Sequence, residues 1–117
     1  MKYLCLVYYE EKTIDAMTKD EWEALNGECI ACGEALRQSG HFLAGNALQP
    51  VHTATTVRVR NGKASVTDGP FAETKEQLAG FYLLDARDLD EAIQLVGKIP
   101  PARLGSIEIR PIRELAP

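Results

Sequence analysis

KYLCLVYY, Lys2 to Tyr9, carries apolar side chains at both parities. A strand with one wet face alternates apolar and polar residues; this one does not, so it reads as a strand covered on both sides and set centrally in a sheet. LAGFYLL, Leu78 to Leu84, has the same character over seven uncharged residues. These two runs are the predicted central strands, and the remaining chain is placed around them.

Between them, Thr18-Lys19-Asp20-Glu21 has the form of a capping box: a hydroxyl for the orphan amides of a helix start, and a Glu three residues on. Trp22, Leu25, Cys29, Cys32 and Leu36 then recur at spacings of three and four, a stripe expected to pack on the sheet until Gly40 ends the helix. Phe42 to Leu48 is a second strand, closed by Pro50. TTVRVR-NG-KASVT, Thr55 to Thr67, is two alternating runs around Asn61-Gly62, a pair suited to a type I′ turn, and predicts a β-hairpin at the sheet margin. Asp88 with Glu91 repeats the capping pattern before Leu89, Ala92, Ile93 and Val96, a second helix that must stop before Pro100-Pro101. Ser106 to Ile112 supplies the last strand.

With the hairpin set aside, the order is βαββαβ, the ferredoxin-like plan, in which the first and third strands are central. A chain of 117 residues is expected to form one domain, 1–117, of the α+β class. Both helices of that plan cover one face of the sheet, so the face opposite Tyr3-Cys5-Val7 or opposite Phe81-Leu83 is left in water. An exposed apolar face of that size predicts a homodimer packed sheet to sheet.

Thirteen Lys and Arg against seventeen Asp and Glu give a net charge of −4 without a basic stripe, which argues against nucleic acid as a partner. The apolar run at the N-terminus is short for a signal segment and far short of a membrane span, and three cysteines make no disulfide framework, so the expectation is a cytoplasmic protein without membrane association. Cys29-Ile30-Ala31-Cys32 is a CxxC, but it falls in mid-helix on the apolar stripe and has no second pair to complete a zinc site. It reads as core packing, and no metal is expected. His41 and His52 lie in no ligand or nucleophile pattern, and neither a phosphate loop nor a dinucleotide fingerprint is present, so no cofactor is expected.

The chemistry concentrates in TDGPFAETKEQ, Thr67 to Gln77. Asp68-Gly69-Pro70 turns the chain out of the hairpin, and Asp68, Glu73, Lys75 and Glu76 follow at the entrance to a central strand, where loops on a rigid scaffold build sites. A mixed carboxylate and ammonium cluster there can bind a polar ligand or, with Asp68 or Glu73 as base, move protons. A solvated turn carrying surface ion pairs explains the same residues. Tyr8, ending the first central strand, and Arg58, on the polar face of the hairpin, are further candidates for the lining. In this reading Lys75 and Arg58 supply charge and donors to an anionic or hydroxylated ligand, and Asp68 orients them or accepts a proton.

Thr67 to Leu78 resembles the motif that names the DGPFAETKE family, part of the YCII-related group. The similarity extends through KYLCLVYYE, the Trp22 helix, LQP at Leu48 to Pro50, TATTVRVRNGK, GFYLLDARDLDEA and IPPARLGSIEIRP. The resemblance implies a dimeric α+β barrel and a role in binding a small polar or aromatic molecule near the DGPF segment. Two alternatives follow from relatives: a metal-independent acid/base enzyme that eliminates or isomerises a hydroxylated aromatic or lactone, and a regulatory partner of an extracytoplasmic-function sigma factor. The short YCII branch carries a His on its first helix and an Asp further on as an acid/base pair; here no His lies between Thr18 and Gly40, so Asp68 lacks that partner.

Overall fold

A computed structural model describes residues 1–116. Its four-stranded sheet is antiparallel throughout, in the order β2-β5-β1-β6, with β1 at Lys2–Tyr9, β2 at Phe42–Ala47, β5 at Gln77–Asp85 and β6 at Ser106–Pro111. The two runs that are apolar on both sides, β1 and β5, are the two inner strands. Three helices, α1 (Glu11–Asp15), α2 (Lys19–Gln38) and α3 (Leu89–Val96), complete a mixed α+β fold compatible with the ferredoxin-like plan. None of them is long and apolar enough to cross a membrane.

Side chains on β1 separate by parity as its pleat requires. Tyr3, Cys5 and Val7 are buried, whereas Leu4, Leu6 and Tyr8 are only half-buried. Tyr3 and Cys5 meet Leu36 of α2, Ala92 and Val96 of α3, and Leu84, Ala86 and Ile99, so α2 and α3 sit on one face and make one core. Opposite that core, Leu4 pairs with Leu83 and Leu6 with Phe81, four half-buried apolar side chains on the helix-free face.

The capping box forms as expected: the Thr18 hydroxyl accepts from the Glu21 N–H at 3.1 Å, and the Glu21 carboxylate accepts from the Thr18 N–H at 3.0 Å. A cap of this type contributes about 1 kcal/mol. Those hydrogen bonds favour the ionised Glu21 and lower its pKa. At α3 the pattern is offset by a residue. Asp88 caps the Glu91 N–H, but the Glu91 carboxylate accepts from the Arg87 N–H rather than from Asp88, and also meets Arg87 and His41.

Three expectations change. The α2 stripe is buried progressively toward its C-terminal end: Leu36 is buried, Leu25, Cys29 and Cys32 are half-buried, and Trp22 is 49% exposed. A short α1 precedes it, with no side-chain cap of its own; the Gln77 side-chain oxygen, from β5, accepts the Glu11 N–H at 2.9 Å and stands in for one. The third concerns the hairpin, β3 (Thr55–Arg60) and β4 (Lys63–Asp68), which does not join the margin of the main sheet. Its turn is as predicted, with Asn61 and Gly62 at φ 52° and 75°. However, the ribbon pairs only with itself and stands away from the body. The radius of gyration, 16.2 Å against about 13 Å for a compact chain of this length, reflects that projection.

Candidate functional site

The end of β1, the start of β5, the loop that follows β2 and the root of the hairpin meet at one corner of the sheet. Between them lies a cavity of about 740 Å³, within the usual size range of small-molecule sites. Tyr8 and Leu78 line it from the sheet, Leu48 to Val51 and Thr53 to Thr56 from one side, and Pro70 to Thr74 from the other.

Backbone and side-chain hydrogen bonds fix these walls. Gly69 N–H donates to the Ala54 carbonyl at 2.7 Å and the Thr56 hydroxyl donates to the Gly69 carbonyl at 2.8 Å, which ties the DGPF turn to the opposite wall. The Gln77 amide nitrogen donates to the Thr74 and Lys75 carbonyls, and the Glu11 carboxylate accepts from the Val51 N–H at 3.0 Å. Gln77 and Glu11 thus join α1 to both walls from behind. Leu48 N–H reaches the Ala79 carbonyl at 2.8 Å and holds the loop against β5.

Of the predicted site residues, Tyr8 and Glu73 line the cavity. Asp68, Lys75 and Arg58 do not. Asp68 is exposed at the foot of the hairpin, opposite Thr55 in the ladder; Lys75 is exposed beyond the rim; and Arg58 reaches the site only through its guanidinium, which donates to the Phe71 carbonyl at 3.4 Å. The charged cluster is therefore not gathered around one space, and Glu73 is the one charged side chain in the lining among the described residues.

Hydrogen bonding narrows what an occupant can meet. Thr53, Thr56 and Thr74 donate their hydroxyl protons to the Pro50, Gly69 and Glu76 carbonyls. Gln77 is committed at both ends of its amide. That leaves the Tyr8 phenol, the Gln49 amide and the Thr55 hydroxyl as donors, and the Glu73 carboxylate as the charged acceptor, on an otherwise apolar wall of Leu48, Val51, Pro70, Phe71 and Leu78. Phe71, 79% exposed, stands at the mouth.

A YCII-related domain model matches residues 1–116. The chain belongs to the YCII-related family. An uncharacterized protein of Rhizobium meliloti is similar to it, 39% identical over 114 residues that cover 96% of this chain and 92% of that protein.

A second, smaller cavity adjoins the first in this YCII-related chain and shares Leu48 and Pro50 with it. It measures about 180 Å³ and is lined by Tyr9, Glu11, Asp15 and His52, among others. His52, which lies in no ligand or nucleophile pattern along the sequence, joins this grouping only through the fold. A histidine two residues after Pro50 was the available signal, but it depended on the unpredicted α1 bringing Glu11 and Asp15 alongside. Burial first, then the Glu11 carboxylate, Cys29 and Asp15, holds the Tyr9 phenol above its ordinary pKa.

The CxxC sits differently. Cys29 and Cys32 are half-buried on α2, Cys32 pointing its thiol at the Lys98 carbonyl at 3.6 Å, and burial raises both thiols above the usual range. Tyr82, packed edge-on to Phe42 on the same face, is pushed up to about 12 by burial. These groups stay protonated at neutral pH, the opposite of an activated thiolate. Among the described residues no group of three His, Cys, Asp or Glu side chains is arranged to hold a metal ion.

Proposed function

We infer that this YCII-related protein is a homodimer that binds a small hydroxylated aromatic molecule in the larger cavity, beside the DGPF segment. The composition of the cavity carries this reading: about 740 Å³ of mostly apolar wall with a phenol, an amide and a hydroxyl as donors, a single carboxylate, and no Lys or Arg. A neutral ring with a hydroxyl group matches that wall, its hydroxyl donating to Glu73 or accepting from Tyr8. An anion would meet Glu73 with no cation in the lining to offset it. The stretch from Thr67 to Leu78 supports placing the chain in the DGPFAETKE branch of its family, and the half-buried Leu4, Leu6, Phe81 and Leu83 support a second copy on the open sheet face, as in a dimeric α+β barrel.

Thermal-shift measurements with a panel of substituted phenols test the binding. Saturation near 100 times the dissociation constant stabilises the fold by about 2.7 kcal/mol, a rise of roughly 10 °C in Tm. Tyr8→Phe should weaken binding about fivefold, the value of one hydrogen bond of about 1 kcal/mol. Asp68→Asn, off the cavity wall, should leave the shift unchanged. A shift abolished by Asp68→Asn and kept by Tyr8→Phe would move the site out of this cavity.

Acid/base turnover at the same corner is a second reading, favoured by the neighbouring cavity where His52, Tyr9, Glu11 and Asp15 come together. Consumption of a phenol or lactone that is lost in both Glu73→Gln and His52→Ala supports it over binding alone; unchanged substrate after prolonged incubation removes it.

A further inference from the structure

The β3–β4 ribbon is built for a contact that the single chain does not make. Ladder partners place Val57 opposite Val66 and Val59 opposite Ala64 on one face, while Arg58, Arg60 and Lys63 belong to the other. The three valines are 60%, 59% and 68% exposed, and every residue of β4 is exposed. A two-stranded ribbon with an uncovered apolar face is marginally stable by itself. Charge indicates what covers it. The hairpin carries Arg58, Arg60 and Lys63 against Asp68, whereas the rest of the chain holds 10 Lys and Arg against 16 Asp and Glu. An arm of net charge +2 is thus joined to a body of net charge −6, and the best complement for that arm is the body of an identical chain.

We propose that the hairpin is an exchanged arm: in the homodimer each subunit lays its Val57-Val59-Val66 face on the other, and the net negative charge of the partner body draws in the net-positive arm at long range. The contact is isologous, so two arms are buried for each dimer formed. It rests on the homodimer reading above and adds a consequence for the cavity. Thr55, Thr56 and Phe71, at the root of the arm, belong to the cavity wall, and Arg58 fastens the arm to the Phe71 carbonyl. Seating the arm on the partner fixes that wall, so phenol affinity rises with dimerisation.

The test is a dilution series of the full chain, with the dimer constant from sedimentation and amide protection from hydrogen exchange read by mass spectrometry. Protection of residues 55–68 is expected to fall in step with dissociation. The isosteric Val57→Thr/Val59→Thr/Val66→Thr variant, which retains β propensity, is expected to raise the dimer dissociation constant about tenfold or more while leaving the circular dichroism of the fold unchanged. Added salt should weaken association as it screens the arm from the body. A wild-type dimer whose constant is unmoved by the triple substitution, with hairpin protection independent of concentration, overturns the arm and leaves the homodimer standing. A wild-type chain that stays monomeric throughout overturns both.

Discussion

Gly105→Ala is expected to destabilise the protein by about 3 kcal/mol or more, measured as a lower midpoint in chemical denaturation with an unchanged slope. Gly105 ends the short 3-10 turn at Pro100–Arg103 and enters β6 directly against the end of β1. A methyl group on it would overlap the Tyr8 carbonyl oxygen and stand 2.8 Å from the Tyr9 Cα. Both neighbours are backbone of a central strand, so no flexible side chain can swing aside; β1 or β6 has to move. The same backbone carries Tyr8 into the larger cavity and Tyr9 into the smaller one, so the substitution should also weaken phenol binding in whatever fraction remains folded.

Leu84→Ala is expected to cost about 3 kcal/mol by the same measurement. Leu84 is fully buried, pairs with Tyr3 across β1 and β5, and lies among Cys5, Leu36, Ala92 and Ile99, where closely packed neighbours from sheet and helices cannot close over a lost isobutyl group. Its neighbour provides the contrast. Leu83 points to the helix-free face opposite Leu4 and is only half-buried, so Leu83→Ala should cost the monomer no more than about 1 kcal/mol and act instead on association. If the two substitutions proved equally costly in the monomer, the division of the sheet into a helix face and an open face would be wrong.

How much of this was legible depended on the range of the interactions involved. Central strands were readable because apolar side chains at both parities are written in consecutive residues, and the Thr18–Glu21 box and the Asn61-Gly62 turn were readable because each is satisfied within four residues. The interactions that misled are distant ones. The five residues of α1 owe their start to a Gln77 side chain sixty-six positions away, which no local pattern announces. Trp22 satisfies the helical spacing, yet whether a sheet lies beneath it depends on where the strands end. Alternation in the hairpin fixed its pairing and its two faces but carried no information about what it would lie against.

The site divides along the same line. Tyr8 and Glu73 reach the cavity because a strand end and a loop at the entrance to the next central strand converge there. Asp68, Lys75 and Arg58 were grouped with them on charge, but the turn at Asp68-Gly69-Pro70 leaves Asp68 at the foot of the ribbon, and only the apolar half of the DGPF segment and Glu73 face inward. The opposite wall, between Leu48 and Thr56, contributes mainly apolar and hydroxyl groups to the cavity, and these carry no chemical signature of their own.

Titrating isotope-labelled protein with phenol and following amide chemical shifts decides whether the corner between Tyr8, the Leu48–Thr56 loop and the Pro70–Thr74 segment binds a hydroxylated ring. Saturable changes concentrated at Tyr8, Gln49, Val51 to Thr56, Phe71 to Thr74 and Leu78 are the predicted result. Changes centred instead on Cys29, Cys32 and Lys98, or no saturable change up to the solubility of phenol, would contradict it.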